Sequence, residues 1–315
     1  MVIHRLYVPG LLETPPGGLK TEALPRFPVL ERFIARADED RLEGRLDELL
    51  MQLFGLGADQ GAAPFCYLAE AGKTPDTGVL RAWPVHLRAD RDRVLLFPLD
   101  ESQLDMEEAR ELAARFNTHF ADDGLLAEVV RPHHWYVLTE RLPEVKMASL
   151  DQVAGRSLSA FLPDSEQERF WLSVINETQM LFFDSPVNGK REQTGRLSVN
   201  GLWFDGAGRL PRSVPSGPAK IDPDHCLLKG LQACAEQETR EDVMVMEDIQ
   251  DALAEQDASA WLQARNRLET VMEGLMNDRE VMLYSCDGRS WRWKPSYSWR
   301  FWRRSTLHRG ADADY

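Results

Sequence analysis

The stretch SVNGLWFDGAGRLP, Ser198 to Pro211, decides how this chain is read. Leu202, Trp203 and Phe204 form a short apolar run that ends in Asp205 and a glycine-rich turn, Gly206-Ala207-Gly208. Glycine lets a backbone approach a phosphate closely, and a helix opening behind such a turn would aim free amides at the anion. The dinucleotide fingerprint is not met, because Pro211 occupies the third glycine position and no helix-forming stretch follows directly. A P-loop is not met either, since Arg209 and Leu210 stand where a Lys followed by Ser or Thr is required. Read locally, the stretch is a strand running into a turn at the rim of a sheet.

Outward from it, the 315 residues suffice for two domains or for one large domain with an insert. With 37 Lys and Arg against 51 Asp and Glu the net charge is -14, which argues against a protein that coats nucleic acid or an anionic membrane. The four cysteines, Cys66, Cys226, Cys234 and Cys286, form no CxxC pair and are too sparse for a disulfide framework. No apolar run approaches a membrane span, so a soluble protein of the reducing cytoplasm is expected, with no membrane partner.

HRLYVPGLL begins as a strand and breaks at Pro9-Gly10. Val29, Leu30, Phe33, Ile34, Leu42, Leu46, Leu49, Leu50 and Leu53 recur at helical spacing from Pro28 towards Gly55 and predict one long helix. Beyond a boundary at GADQGAAP, the runs VLRAWPVHLRA and RVLLFPL, a helix over DMEEARELAARFNTHF, and the runs LLAEVVRP and HWYVLTE read as a ββαββ module. A helix follows over DSEQERFWLSVINETQMLFFDSP, with Ser165 as its cap. Later come a helix over DHCLLKGLQACAEQ, the strand VMVM, and a continuous helix through IQDALAEQDASAWLQARNRLETVMEGLM. EVMLYSCDGRSWRWKPSYSWRFWRR alternates like β-structure, turning at Asp287-Gly288.

The segment SPVNGKREQTGRLSVNGLWFDGAGRLP resembles the cofactor-independent phosphoglycerate mutases of archaeal type, in the alkaline phosphatase superfamily. Pro186-Val187-Asn188, the basic Lys190 and Arg191, a glycine, Asn200 and the strand ending in a glycine turn follow the family's order. LPRFPVLERFIARADE resembles the family's early Thr-Pro-Asn helix, with Arg26 and Phe27 in place of Thr and Asn around Pro28. The stretches at WPVHLRADRDRVLLFPLDESQLDMEEARELAARFN and VAGRSLSAFLP resemble its inserted lid. The chain is also similar to proteobacterial RpfE-type regulatory proteins.

The resemblance implies an α/β fold: an alkaline-phosphatase-like core from residues 1–65 and 195–315, and an inserted, lid-like α+β domain over 66–194. Enzymes of the superfamily hold two divalent metals in a nest of Asp and His and use a Ser or Thr oxygen as nucleophile, the metal charge lowering its pKa. Where the first ligand belongs this chain reads Tyr7-Val8-Pro9-Gly10, without a carboxylate. Where the late ligands belong it offers Glu247, Asp248 and Asp251, and His225 and His308 are the only histidines after His134. The expectation is a degenerate member without catalytic residues, metal or cofactor, acting as a regulatory or ligand-sensing pseudoenzyme. The alternative is an active mutase or phosphatase with displaced ligands, which would need Mn or Zn.

Asn188, Lys190, Arg191 and Asn200, beside Gly206 and Gly208, are the best remnant of an anion pocket, suited to a small phosphorylated or carboxylate ligand. Against that stands ordinary loop hydrogen bonding. Asp222, Asp224, His225 and Cys226 could ligate a metal, but fit a helix cap with a solvated histidine better. His133 and His134 are expected on opposite faces of a strand, and Glu177 and Gln179 diverge on their helix. In the C-terminal stretch Trp291, Trp293, Trp299 and Trp302 interleave with Arg300 and Arg303, a mixture that suits an acidic protein partner or base stacking, or a β-meander closing over the core.

Overall fold

The computed structural model describes residues 2–18, 25–57, 59–91, 93–99, 102–162 and 169–303. The chain is a mixed α/β protein with two five-stranded sheets, one in each of two compact units: 1–56 with 213–315, and 57–212. In the second unit the strand at 201–208 pairs inside the sheet and a helix at 63–71 packs on that pairing.

The first unit is built around β1 (Ile3–Tyr7), which pairs in parallel with β8 (Glu241–Val245) on one side and β9 (Glu280–Tyr284) on the other. The sheet continues antiparallel through β10 (Arg289–Trp293) to a short edge strand, β2 (Asp38–Arg41). Leu6, Val281, Leu283, Trp291 and Trp293 alternate to one face and bury against α1 (Pro28–Arg36), α9 (Asp248–Ala254) and α10 (Ala258–Met276). Remaining elements are α2 (Leu46–Leu53) and α8 (Cys226–Cys234), which pack on each other.

Two helices predicted as continuous are broken. The stripe from Pro28 to Leu53 stops at Arg36 because ARADEDR offers no large apolar residue; Ala37 turns extended and Asp38–Arg41 joins the sheet instead. The helix expected through 249–276 breaks at Gln256, whose φ of 55° lies in the left-handed region, and restarts at Asp257, whose carboxylate caps the amides of Ser259 and Ala260. The stretch after Trp293, expected to alternate, instead forms a 3-10 turn over Pro295–Trp299. The Ser165 cap lies outside the described residues.

The second unit holds α3 (Ala63–Ala71), β3 (Gly78–Asp90), β4 (Arg93–Pro98), α4 (Met106–His119), β5 (Leu126–Arg131), β6 (His134–Thr139), α5 (Leu150–Val153), α6 (Arg169–Phe183), α7 (Pro186–Gln193) and β7 (Gly201–Gly208). β3 is the spine: it pairs with β6 through Gly78–Ala82, with β4 through Val85–Asp90, and with β7 through Val79–Val85. Leu80, Leu112, Phe116, Trp135, Trp171 and Phe204 form its core. α3 was missed by the sequence reading, since its AAPFCYLAEA is apolar nearly all round and carries no helical stripe.

Asp205 on β7 is 1 % exposed, yet its carboxylate accepts from Arg81 Nε at 2.5 Å, Trp83 Nε1 at 3.0 Å and the Leu150 amide at 2.9 Å. Three donors from two other elements thus converge on one buried charge. Removing one partner of a buried ion pair costs about 3–5 kcal/mol because the other charge is left uncompensated. Asp205→Ala is therefore expected to lose stability of that order in urea unfolding followed by tryptophan fluorescence, and a loss below about 1 kcal/mol would show that Arg81 finds another partner.

Candidate functional site

In open α/β sheets, ligands bind beyond the carboxyl ends of the parallel strands. In the first unit this end is formed by Val8-Pro9-Gly10 after β1, Met246-Glu247 after β8 and Ser285-Cys286-Asp287 after β9. The backbone is tied here, with the Val8 amide donating to Tyr284 O and the Met246 amide to Tyr7 O, both at 2.8 Å. His225 caps α8 through Nδ1, which accepts from the Leu228 amide at 3.4 Å; that bond leaves the proton on Nε2, 3.7 Å from Glu247 Oε2. The capping expected from the sequence is present, but the imidazole is largely buried and paired rather than solvated. Asp224 donates its amide to Asp222 Oδ1 at 3.1 Å, a local turn.

The same end is acidic. Burial, followed by the charges of Asp248 and Glu255, holds the Asp251 carboxyl above the usual range, while Asp248 pairs with Arg267 at 2.6 Å. Cys286 was not singled out in the sequence, although it sits in the turn of the β9–β10 hairpin. Its φ of 60° is strained for a side-chain-bearing residue, and burial, with Asp287 and Glu247 adding to it, pushes the thiol up to about 12. A protonated thiol is a poor nucleophile. Among the described residues no three His, Cys, Asp or Glu side chains gather so as to hold a metal ion.

The anion candidates lie in the second unit, where most of their polar atoms bond to the chain itself. Asn188, 2 % exposed, donates to Phe182 O at 2.7 Å and Val199 O at 2.9 Å, and accepts from the Val199 amide at 2.8 Å. Asn200 accepts from the Leu87 amide at 2.6 Å and donates to Leu87 O at 2.8 Å, so its side chain prolongs the β3–β7 ladder by one amide pair. Arg191, 1 % exposed, reaches Leu197 O at 2.7 Å, Gln103 O at 2.8 Å and Glu108 at 2.6 Å. Lys190 is exposed and lines a shallow groove of about 260 Å³ with Asp105, Glu107 and Glu111.

Gly206 and Gly208 serve close packing. A Cβ at Gly206, whose φ is 64°, would meet Arg81 Nε at 3.1 Å, and one at Gly208 would meet Gly61 N at 2.9 Å. The chain that approaches these glycines is the protein's own. All these residues except Lys190 thus fasten α7, β7 and the start of α3 to their neighbours.

His133 and His134 do not part to opposite faces. His133 precedes β6 in a turn, and the two rings lie 4.3 Å apart. His134 Nδ1 bonds Glu70 at 3.1 Å, and Tyr136 donates to the same carboxylate at 2.5 Å. Burial pushes Glu70 up, but the bonds from His134 and Tyr136 outweigh it and hold the carboxyl below its ordinary range. Glu177 accepts from Ser173 at 2.7 Å and lies 2.8 Å from His119. In the C-terminal stretch Trp291 and Trp293 are core residues at 2 % exposure each, whereas Trp299 and Trp302 are 74 % and 67 % exposed, and Arg300 and Arg303 bond Asp38 at 2.5 and 3.4 Å.

No family model matches the chain, and no curated protein matches it. Among solved structures it is similar to the PH0037 protein from Pyrococcus horikoshii, with 12% identity and a TM-score of 0.50 over 92% of this chain and 86% of that one. A cofactor-independent phosphoglycerate mutase from Thermoplasma acidophilum aligns over 93% of this chain and 90% of its own, with 15% identity and a TM-score of 0.38. The first is a likeness of fold alone, and the second is too loose to carry an argument. No described helix is long and apolar enough to cross a membrane.

Arg191→Met leaves Leu197 O without its donor, while Glu108 and Gln103 O keep Arg196 alone, and is expected to cost about 2 kcal/mol in urea unfolding; no measurable loss would contradict the fastening role. A second expectation concerns Glu70. A carboxyl whose folded pKa lies below its unfolded value contributes stability above the unfolded value, and that contribution is lost as pH falls through the folded one. Glu70→Gln should therefore be less stable than the parent at neutral pH and converge with it below the ordinary glutamate range of about 4.3. A gap between their melting temperatures that is independent of pH would refute the assignment.

Proposed function

We propose that this chain is a degenerate relative of the cofactor-independent phosphoglycerate mutases that keeps an alkaline-phosphatase-like scaffold and a lid-like insert but no longer transfers phosphoryl groups, and serves in the cytoplasm as a regulatory, ligand-sensing protein. The observation that carries this reading is the donor set at the carboxyl end of β1, β8 and β9. Among the described residues it contains a single histidine, His225, paired with Glu247, and β1 ends in Tyr7-Val8 where a carboxylate would be required. Such a set does not fit a nest for two divalent ions, which needs several His and Asp donors converging on open positions. Cys286, held as a thiol, is not an activated nucleophile at this end. The small phosphorylated or carboxylate ligand suggested by 188–208 has fewer groups to meet it, since Asn188, Arg191 and Asn200 already bond the backbone.

One observation favours an active, metal-dependent mutase or phosphatase instead. Burial, and after it the neighbouring carboxylates, holds the Asp251 carboxyl above its ordinary range, a crowding that a divalent cation would relieve. Turnover separates the two readings. Purified chain supplied with phosphoglycerate and Mn²⁺ or Zn²⁺ is expected to show no turnover above a metal-only control. Turnover that chelation abolishes, and that Asp248→Ala and Asp251→Ala each reduce at least tenfold, would establish the enzyme.

A further inference from the structure

Among the described residues two arginines are buried, and they are served differently. Arg191 finds an acceptor for each of its three guanidinium nitrogens. Arg265 on α10, 8 % exposed, finds one: Nη2 donates to Leu11 O at 2.7 Å, while Nε, closed off from water, has no acceptor. Its charge is unanswered as well. Glu269, one turn further along α10, spends both carboxylate oxygens on the first turn of α1, accepting the amides of Leu30 at 2.7 Å and Val29 at 3.0 Å, and makes no ion pair with Arg265. Trp261, one turn before Arg265 and 1 % exposed, adds a second buried donor without an acceptor, its indole Nε1. Buried polar groups are nearly always hydrogen-bonded and buried charges are paired, so two such donors side by side call for an acceptor.

The surroundings of Arg265 suit a ligand. Its guanidinium carbon lies 4.8 Å from the centre of the Trp261 ring and 5.5 Å from that of Phe27, and the two rings meet edge to face at 6.2 Å. Contact with aromatic rings engages the faces of a guanidinium and leaves its planar edge, where the fork of N–H groups matches two oxygens of a carboxylate or phosphate. Burial lowers the pKa of the group to about 10, with the charge of Glu269 opposing it, so the cation persists at neutral pH. The position also fits. Leu11 follows the end of β1, which sets the guanidinium beside the carboxyl end of the parallel strands, where open α/β sheets take their ligands. Phe27 is half-buried where Trp261 is fully so, and access therefore runs past Phe27.

We infer that Arg265 anchors a site for one small oxyanion, the carboxylate or phosphate group of a small molecule, between α10, Phe27 and the turn after β1. The inference rests on the ligand-sensing reading above and supplies the group that meets such a ligand, in place of Asn188, Arg191 and Asn200, whose polar atoms are taken by the chain itself.

An anion that binds only the folded chain stabilises it by mass action, so melting temperature reads the site. The full chain is titrated with inorganic phosphate and, separately, with acetate, at constant ionic strength held with sodium chloride. Its melting temperature is expected to rise with at least one of the two, and the one that acts gives the class of the ligand's anionic group. Arg265→Met, which keeps an unbranched side chain between the rings, is expected to lose the response. Arg265→Lys keeps the charge without the planar fork and is expected to need at least tenfold more anion for the same rise, with a circular dichroism spectrum like the parent's. Phosphoglycerate turnover would refute the pseudoenzyme reading without altering these titrations, so the two can fail separately. A parent that neither anion stabilises overturns the site, as does a response that Arg265→Met or Arg265→Lys retains in full.

Discussion

A guanidinium with 1 % of its surface exposed organises the second unit. Arg191 sits near the end of α7 and ties three places in the chain: Glu108 in the first turn of α4, Gln103 just before it, and Leu197 in the run leading to β7. Burying that charge is tolerable because Glu108 answers it and carbonyls take its other hydrogens. Arg196 closes over the same Glu108 at 2.9 Å from the exposed side. The acidic first turn of α4 and the basic last turn of α7 each also suit the dipole of their own helix. Asn188 and Asn200 extend this bracing by imitating peptide groups, one at Val199 and one at Leu87. Together they set where β7 enters the sheet, and hence where Asp205 meets Arg81 and Trp83.

This explains why a segment that reads like a pocket does so. Two asparagines and two cations beside a glycine turn are the side chains an anion site needs, and they are also those that substitute for backbone where a loop must join a sheet. The sequence cannot separate the two uses, because the difference lies in partners far away along the chain, such as Leu87 and Gln103. Elements with strong local signals were legible: the capped helix α4, the alternating strands β3 to β6 and the hairpin at Asp287-Gly288. The two predicted long helices failed where a local backbone event overrode the apolar stripe, a left-handed Gln256 in one case and a switch to extended chain at Ala37 in the other.

The candidate site at the carboxyl end of the first sheet was legible in part. Glu247, Asp248, Asp251 and His225 were identified, but pairing of His225 with Glu247 depends on how α8 abuts the end of β8, which residue spacing does not encode. Cys286 escaped attention because its strain and burial are properties of the folded turn. The C-terminal aromatics show the same division. Trp291 and Trp293 alternate on a strand and are core, while Trp299, Phe301 and Trp302 leave the strand period and face water.

The central claim is that the asparagines of the 185–211 segment hold backbone rather than ligand. Amide hydrogen exchange at Leu87 and Val199 tests it most directly, since their acceptors are the Asn200 and Asn188 side-chain oxygens. The account predicts protection comparable to neighbouring strand amides, lost at Leu87 in Asn200→Ala and at Val199 in Asn188→Ala. Exchange at the rate of open loop amides in the parent protein would contradict it.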